Sequence, residues 1–438
     1  MARPRRHAPL RVYQNARSVG VLLKESSGAI SFEYDASWLQ RERNFPVSLS
    51  LPLQEAPYRG AVVSAVFDNL LPDSANLRRM VADKVGAEGV DAYSLLSKIG
   101  HDCVGSLQFV SDGAELPVVT EHISGERLDE LAIERLLKSL KQAPLGLSRD
   151  EDFRISVAGA QEKTALLLYD GHWLKPHGLT PTTHIFKTRI GPVGNGLDLS
   201  DSVENEFYCL QLLEQLGLPV NRAQIMSFGG TTALVVERFD RRWHRGRLIR
   251  LPQEDCCQAL SVPPTRKYQA EGGPSLVDLA NLLKGSDSPA NDHLTLFSAQ
   301  LVFWLVGATD GHAKNFSLFL KPGGGYALTP LYDVLSAQPY LDRQQLQRKQ
   351  YKLAMSVGER NHYRIHEVMP RHFIQTAKRS GVPDIVIRSA MESVAGRMEL
   401  ALDHLAACLP AGFPMELHDS IGAGIKLRLR RLIDFLGG

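Results

Sequence analysis

The sequence predicts an α+β fold of two lobes, a small strand-rich lobe followed by a mainly helical one, with an extra subdomain at the amino end. Two observations lead to this class. Between residues 151 and 240, short runs of β-branched and aromatic residues alternate with turn residues, a pattern typical of strands. Beyond residue 275, apolar residues recur mainly at helical spacing. Strands followed by helices are the order expected of an α+β protein.

Residues 1–111 are predicted to form the extra subdomain. Short β runs separated by polar turns suggest an antiparallel meander, and helices bounded by Pro72 and Gly86 follow it. Asp73 or Ser74 can cap the second of these helices. The predicted elements are strands at 11–13, 19–23 and 30–34, helices at 62–71, 75–85 and 93–99, and a strand at 106–110.

Residues 112–150 are predicted to be a connector containing one amphipathic helix, residues 151–240 the strand-rich lobe, and residues 241–438 the helical lobe. The strand-rich lobe holds one helix at 203–216, which Asp201 or Ser202 can cap and Gly217 ends. Strands are predicted at 154–157, 164–169, 184–187, 223–228 and 232–238, and later helices at 276–284, 293–307, 365–379, 384–409 and 415–436.

The composition is that of an ordinary soluble globular protein. Hydrophobic residues make up 44% of the 438 positions and charged residues 22%, and the formal net charge is only +2. That balance does not single out nucleic acid or an acidic membrane as a partner. Five cysteines without CxxC spacing argue against a disulfide framework or a structural zinc site. We expect a cytoplasmic protein with reduced thiols and without a secretory signal or a membrane span.

Residues 308–316 place several polar side chains between a predicted helix and a predicted strand. Asp310 is followed five positions later by Asn315, the spacing of a protein-kinase catalytic loop, and Lys314 lies between them. Phosphoryl transfer needs a base for the acceptor hydroxyl, oxygen ligands for Mg²⁺ and cations at the phosphates. Asp333, after a further strand, is the candidate for a second metal-binding carboxylate, although the Phe-Gly that follows it in common kinases is missing. The alternative is an ordinary Asp-Gly turn.

The predicted strands upstream offer groups for a nucleotide. Lys187 ends an apolar β run and can reach phosphates, although a lysine at a strand end is often simply solvated. Glu206 on the next helix is a candidate partner for it, and Glu204 is a competitor.

The turn at 157–163 consists largely of small residues whose N–H groups can face phosphates, although it has only one glycine and most such turns are plain hairpins. Glu237 and Phe239, where a strand ends, are candidates for an adenine site, and an edge strand is the equal alternative.

Several of these segments together resemble the HipA family, the kinase toxins of bacterial HipBA toxin–antitoxin modules. The resemblance covers nearly the whole chain. It is carried by FDNLLPDS at 67–74, RISVAGAQEK at 154–163, TTHI at 182–185, VERFDRR at 236–242, LPQED at 251–255, ATDGHAKNF at 308–316 and YD at 332–333.

The resemblance implies a two-lobed protein-kinase-like fold and an ATP- and Mg²⁺-dependent serine/threonine kinase. Asp310 would accept the proton with Lys314 beside it, Asn315 and Asp333 would hold Mg²⁺, and Ser156 would be an inactivating autophosphorylation site. The ATP contacts it implies are Ala158, Gly159, Ala160, Gln161, Glu162, Lys163, Lys187, Glu237, Arg238, Phe239, His312, Asn315, Tyr332 and Asp333.

The resemblance also implies partners. The substrate would be glutamyl-tRNA synthetase, whose phosphorylation would halt translation and favour drug-tolerant persistence. The second partner would be a HipB-like helix-turn-helix antitoxin dimer, which would bind operator DNA with the kinase as co-repressor. Lys378 matches a DNA-contacting position and Arg379 lies beside it, but the next basic position of the family is Gly381 here. A kinase of another protein or of a small molecule, and a non-catalytic co-repressor, remain alternatives.

Overall fold

A computed structural model describes residues 7–111, 123–147, 153–159 and 161–438, apart from the side chain of Asn195. The chain forms two compact units. Unit 1 contains the described residues up to Thr188 together with 226–265 and 318–325, and unit 2 contains 189–225, 266–317 and 326–438. Among the described residues, no helix is both long enough and apolar enough to cross a membrane.

The strands are β1 Leu10–Gln14, β2 Arg17–Lys24, β3 Ile30–Tyr34, β4 Tyr58–Arg59, β5 Asp102–Cys103, β6 Leu107–Ser111, β7 Gly125–Arg127, β8 Ile155–Ser156, β9 Lys163–Tyr169, β10 His172–Pro176, β11 His184–Thr188, β12 Gly191–Pro192, β13 Asp198–Leu199, β14 Ala223–Phe228, β15 Thr231–Glu237, β16 Arg241–His244, β17 Arg247–Arg250, β18 Gln253–Asp255, β19 Ser317–Leu320, β20 Tyr326–Leu328, β21 Lys352–Val357 and β22 His362–Arg364.

The helices are α1 Ala36–Leu39, α2 Ala61–Asp68, α3 Ala75–Val85, α4 Ala92–Ile99, α5 Glu130–Ser139, α6 Ser202–Gln215, α7 Cys256–Ala259, α8 Leu276–Leu283, α9 Pro289–Val306, α10 Gln338–Asp342, α11 Pro370–Arg379, α12 Asp384–Cys408 and α13 Met415–Gly437.

The predicted amino-terminal meander is confirmed. Strands β1, β2 and β3 pair antiparallel within a five-stranded sheet whose order is β4-β3-β2-β1-β6. Apolar residues alternate toward one side of this sheet and pack on α2, where the ring centroids of Phe32 and Phe67 are 5.6 Å apart and those of Phe67 and Phe109 are also 5.6 Å apart. The predicted cap and stop of α3 are also present, because the Ser74 side chain accepts from the Leu77 N–H and Gly86 has a φ of 64°.

A second sheet has the order β14-β15-β11-β9-β10-β7. One face of it, with Leu166, Phe186 and Val235, packs against Ile133 and Leu137 of α5. Successive side chains of a strand point to opposite faces, so every second residue of β9 and β11 points away from α5.

A cluster of buried charges surrounds Asp102 in unit 1. Its carboxylate oxygens lie 3.1 Å from Nη1 of Arg238, 2.8 Å from Nη2 of Arg241 and 3.0 Å from Nε of Arg250. Asp240 pairs with Arg238 at 2.9 Å. Burial alone would raise the pKa of the Asp102 carboxyl, but the three guanidinium groups hold it well below its usual range.

Unit 2 is built around α9, which is buried on nearly all sides and packs against α12, α13, α8 and α6. This helix begins at Pro289, four residues earlier than predicted, because proline suits the first helical turn. A proline also explains why the helix predicted from residue 365 is wrong at its start. Residues before Pro370 are disfavoured in the helical conformation, and α11 begins at Pro370.

Candidate active site

The loop that carries Asp310 starts where α9 ends. Gly307 has a φ of 74°, and a Cβ atom there would lie 1.9 Å from the Tyr351 hydroxyl, so only glycine fits without displacing that side chain. The Ala308 N–H donates to the Phe303 carbonyl at 2.8 Å, and the Ala337 N–H donates to the Gly307 carbonyl at 2.9 Å. These bonds fix the direction in which the chain leaves the helix.

Inside the loop, backbone and side-chain hydrogen bonds converge on the Asp310 carbonyl. The His312 N–H donates to it at 2.8 Å, and so does the Asn315 side-chain amide, also at 2.8 Å. Gly311 is required by close packing, since a Cβ atom there would lie 2.5 Å from the Phe303 ring. The Asp310 side chain is 52% exposed, whereas Lys314 and Asn315 are buried. The loop therefore presents the carboxylate from a fixed backbone.

Asp333 is brought to the same loop by Asn315, whose side-chain nitrogen lies 3.4 Å from the Asp333 carbonyl. The Tyr332 hydroxyl donates to the Lys314 carbonyl at 3.0 Å and lies 2.5 Å from the Ser317 hydroxyl. Asp333 has a φ of 60°, a left-handed conformation that aspartate tolerates better than most residues and that is common at functional sites.

The oxygen donors here suit Mg²⁺. Because the Asn315 nitrogen donates to two carbonyls, its Oδ1 is the atom of that amide which can coordinate a cation. Asp333 supplies a carboxylate, and Mg²⁺ prefers few protein oxygens completed by water and substrate phosphates. The described residues contain no group of three or more His, Cys, Asp and Glu side chains that could hold a metal. A Mg²⁺ ion held by Asn315 and Asp333 would take its remaining ligands from water and phosphate oxygens.

In unit 1, Lys163 and Lys187 are direct cross-strand neighbours in the pairing of β9 with β11. Residues opposite each other in an antiparallel pair point to the same face, and like charges so placed repel. Both lysines are buried, at 5% and 7% exposure, on the face turned away from α5. A nucleotide phosphate is an anion that two cations at this register can bind.

The turn before β9 is held by several hydrogen bonds. Lys163 Nζ donates to the Ala158 carbonyl at 2.6 Å, the Asp73 N–H donates to the Gly159 carbonyl at 3.2 Å, and the Gln161 amide donates to the Thr188 carbonyl at 2.8 Å. Glu162 is half-buried, and Ala160 lies outside the described residues.

The Glu237 to Phe239 segment leaves the sheet at the end of β15. Glu237 is exposed, and Phe239 packs edge-on against Phe319 with ring centroids 5.7 Å apart. Arg238 is buried, and its guanidinium is committed to Asp102 and Asp240, so any contribution from this residue to a nucleotide site cannot come from its side chain.

Ser156 is fully buried in strand β8. Its hydroxyl donates to the Leu70 carbonyl at 2.7 Å, and β8 pairs parallel with β5, where Ser156 is opposite Cys103. The FDNLLPDS segment and the strand before the turn, which are far apart in sequence, therefore meet at this serine.

The remaining residues of the sequence prediction lie elsewhere in unit 2. Glu204, on the first turn of α6, is paired with Arg189, and Glu206, two residues further along that helix, is buried. Lys378 and Arg379 are exposed on the last turn of α11, and Arg379 donates to the Gly358 carbonyl at 2.7 Å.

One residue at this site has no counterpart in the sequence prediction. The Tyr268 hydroxyl donates to Asp310 Oδ1, and its ring lies edge-on to His312 with centroids 4.9 Å apart. Tyr268 lies in a segment rich in proline and glycine without periodicity, 42 positions from Asp310. No sequence pattern could have indicated the contact, because the fold alone brings the two segments together.

An aspartate, an asparagine five positions later and a second aspartate beside it, on an α+β fold, form the arrangement expected of a protein-kinase-like phosphotransferase. Comparison with known proteins identifies the family. Residues 155–402 match the model described as the HipA-like C-terminal domain, and residues 10–110 match the HipA N-terminal domain. The chain belongs to the HipA family.

Individual relatives agree with this assignment. Y4mE of Sinorhizobium fredii, which carries a provisional kinase name, is 37% identical over 80% of this chain and 81% of its own. The serine/threonine-protein kinase toxin HipA of Shewanella oneidensis is 27% identical over 88% of this chain and 86% of its own.

The solved complex of HipA, HipB and operator DNA from Shewanella oneidensis MR-1 contains a chain with a TM-score of 0.80 and 25% identity. The match covers 98% of this chain and 99% of that one. The predicted α+β kinase-like fold is confirmed.

Proposed function

We propose that this protein is the toxin of a toxin–antitoxin module and acts as a serine/threonine protein kinase that uses ATP and Mg²⁺. The observation that carries the proposal is the loop in which Asp310 is half exposed while its carbonyl is fixed by Asn315, the residue that also contacts Asp333. A scaffold protein has no need for this arrangement, which supports a catalytic role over a purely co-repressing one.

In the proposed reaction, Asp310 accepts the proton of the acceptor hydroxyl and Lys314 neutralises charge on the transferred group. Asn315 and Asp333 hold Mg²⁺, which neutralises phosphate charge when bound. Lys163 and Lys187 are proposed to bind phosphates, and their cross-strand pairing supports this. The other proposed ATP contacts are Ala158, Gly159, Ala160, Gln161, Glu162, Glu237, Arg238, Phe239, His312 and Tyr332.

Autophosphorylation of Ser156 is proposed to inactivate the enzyme. A phosphate adds negative charge and needs space and solvent, and Ser156 has neither in the present conformation of β8. Its phosphorylation would therefore favour a different position of the adjoining turn, which is the proposed phosphate-binding element.

A HipB-like helix-turn-helix antitoxin is the proposed partner, with operator DNA bound through the complex. The support is the likeness to a chain of the solved complex of HipA, HipB and operator DNA from Shewanella oneidensis MR-1. Lys378 and Arg379 are proposed DNA contacts, since exposed lysine and arginine can bind backbone phosphates. The proposed domains are 1–111, 112–150, 151–240 and 241–438, and the family matches at 10–110 and 155–402 support the boundaries near 111 and 150.

Glutamyl-tRNA synthetase is the proposed substrate, and its phosphorylation would stop translation and favour persistence. The test incubates radiolabelled ATP and Mg²⁺ with the purified synthetase and either the wild-type protein or Asp310→Asn. We expect the wild type to label the synthetase and the variant to label it roughly 100-fold to 10,000-fold more slowly.

Asp403→Asn, an exposed aspartate of α12, is the matched control and is expected to behave as the wild type. Equal labelling by the wild type and Asp310→Asn would refute the catalytic assignment. Label that appears on the kinase but not on the synthetase would refute the substrate. A small-molecule kinase would label neither protein while still consuming ATP.

A further inference from the structure

Tyr268 and His312 approach the same oxygen of the candidate catalytic base. The Tyr268 hydroxyl donates to Asp310 Oδ1, and His312 Nε2 lies 3.7 Å from that atom. The Tyr268 ring meets the His312 ring edge-on at 83°. Two residues from separate segments therefore lie close to the same carboxylate oxygen.

The segment that carries Tyr268 is anchored on both sides. The next residue, Gln269, accepts from the Ser356 N–H at 2.8 Å and donates to the Ser356 hydroxyl at 2.9 Å, which ties it to β21. The Tyr268 carbonyl accepts from the N–H groups of Glu271 at 3.0 Å and Gly273 at 2.9 Å. The phenol is thus held against Asp310 by a fixed backbone.

A carboxylate used as a base has to present one oxygen in a defined direction. An aspartate can rotate about its terminal bond, so an unrestrained side chain spends part of its time misaligned. A phenol that donates to Oδ1 removes this freedom and leaves Oδ2 to receive the proton. Half of the Asp310 side chain is exposed, so a substrate hydroxyl can approach the carboxylate.

We propose that Tyr268 is a positioning residue that orients Asp310 for proton acceptance by Oδ2. The inference rests on the proposed function, since it assigns Tyr268 a part in the same reaction. The competing explanation is that the Tyr268 hydroxyl occupies the place of the substrate hydroxyl and blocks the site. The anchoring through Gln269 favours orientation, because a blocking residue would have to leave in every turnover.

The test measures kcat and the KM for ATP of Tyr268→Phe, which keeps the ring against His312 and removes only the hydroxyl. Loss of a hydrogen bond to a charged group corresponds to a factor of about 10 to 100. We expect kcat to fall by about tenfold with unchanged KM for ATP and unchanged thermal unfolding. Tyr363→Phe, whose hydroxyl has no hydrogen bond among the described residues, is the control and should match the wild type.

Two further variants separate orientation from a general structural effect. In an Asp310→Asn background, Tyr268→Phe should have no additional effect, because the tyrosine acts through the carboxylate. Gln269→Ala keeps the phenol but removes its anchor, and should also lower kcat without changing KM for ATP.

Three results would overturn the inference. A rise in kcat/KM for Tyr268→Phe would indicate that the tyrosine blocks the site. If Tyr268→Phe lowers kcat as much in the Asp310→Asn background as in the wild type, Tyr268 acts elsewhere. If Tyr268→Phe leaves kcat unchanged while Asp310→Asn is inactive, Tyr268 has no role. If Asp310→Asn is as active as the wild type, the proposed function itself fails, and this inference fails with it.

Discussion

At the residue scale, Arg238 contributes to the stability of the fold although it lies within a motif that is a candidate for nucleotide binding. It lies between Glu237 and Phe239, two candidate nucleotide contacts, yet its guanidinium pairs with Asp102 and Asp240. The Asp102 partner is 136 positions away, so sequence spacing could not indicate the pair. By contrast, the sequence spacing could indicate that Asp310 and Asn315 lie close together, because both belong to one short loop, in which the Asn315 amide donates to the Asp310 carbonyl.

We expect Arg238→Met to destabilise unit 1 strongly. The Arg238 side chain is 1% exposed, and removing it leaves two buried carboxylates with one cation fewer. Breaking a buried ion pair in this way costs roughly 3 to 5 kcal/mol. The measurement is urea unfolding followed in the wild type, in Arg238→Met and in Arg242→Met, the last being an exposed arginine of the same motif. A loss no larger than that of Arg242→Met would contradict the account.

At the scale of elements, sequence predicted best where a local signal marks both ends. Ser74 and Gly86 bound α3 as expected, and Gly307 ends α9. The hairpin of β16 and β17 was missed, because its many arginines hide the alternation that usually reveals a strand. The positioning of Asp310 by Tyr268 was also beyond prediction, since it depends on the anchoring of a loop to β21.

Strand β8 leads to a prediction about modification. We expect incubation with ATP and Mg²⁺ to phosphorylate Ser156 and to make residues 153–163 sensitive to protease, since a phosphate cannot be accommodated where the hydroxyl now contacts Leu70. Phosphopeptide mass spectrometry and limited proteolysis check this, with Ser156→Ala as the control that should show neither change. An active enzyme with unmodified Ser156 would refute it.

At the scale of the whole molecule, segments distant in sequence are joined inside unit 1 by a buried carboxyl. Glu254, in the LPQED motif, lies 2.5 Å from the Ser48 hydroxyl and accepts from the Leu49 N–H at 2.8 Å. Burial raises the pKa of Glu254 to about 8, although these two hydrogen bonds oppose the shift. The LPQED motif, which is part of the resemblance to the HipA family, thus includes a residue, Glu254, that joins the amino-terminal subdomain to the rest of its unit.

This carboxyl predicts a pH dependence of stability. Below its ordinary pKa of 4.5 the group is protonated in both the folded and the unfolded chain, so its contribution is fully present. As the pH rises toward about 8, the unfolded chain releases the proton first and stability falls. Glu254→Gln should therefore lose less stability between pH 5 and pH 8 than the wild type.

Thermal unfolding at both pH values checks this prediction, with the exposed Glu33→Gln as the control that should follow the wild type. An equal loss of stability with pH in the wild type and in Glu254→Gln would contradict the role given to the buried carboxyl.

If Asp310 is the base of a phosphoryl transfer, its replacement must slow a single turnover of the enzyme. The rate of transfer from ATP to the acceptor that the wild type labels is measured for the wild type and Asp310→Asn, with ATP binding determined on the same samples. We expect the rate of Asp310→Asn to fall by about 100-fold to 10,000-fold with ATP binding retained. Equal rates, or a loss of rate fully explained by lost ATP binding, would contradict it.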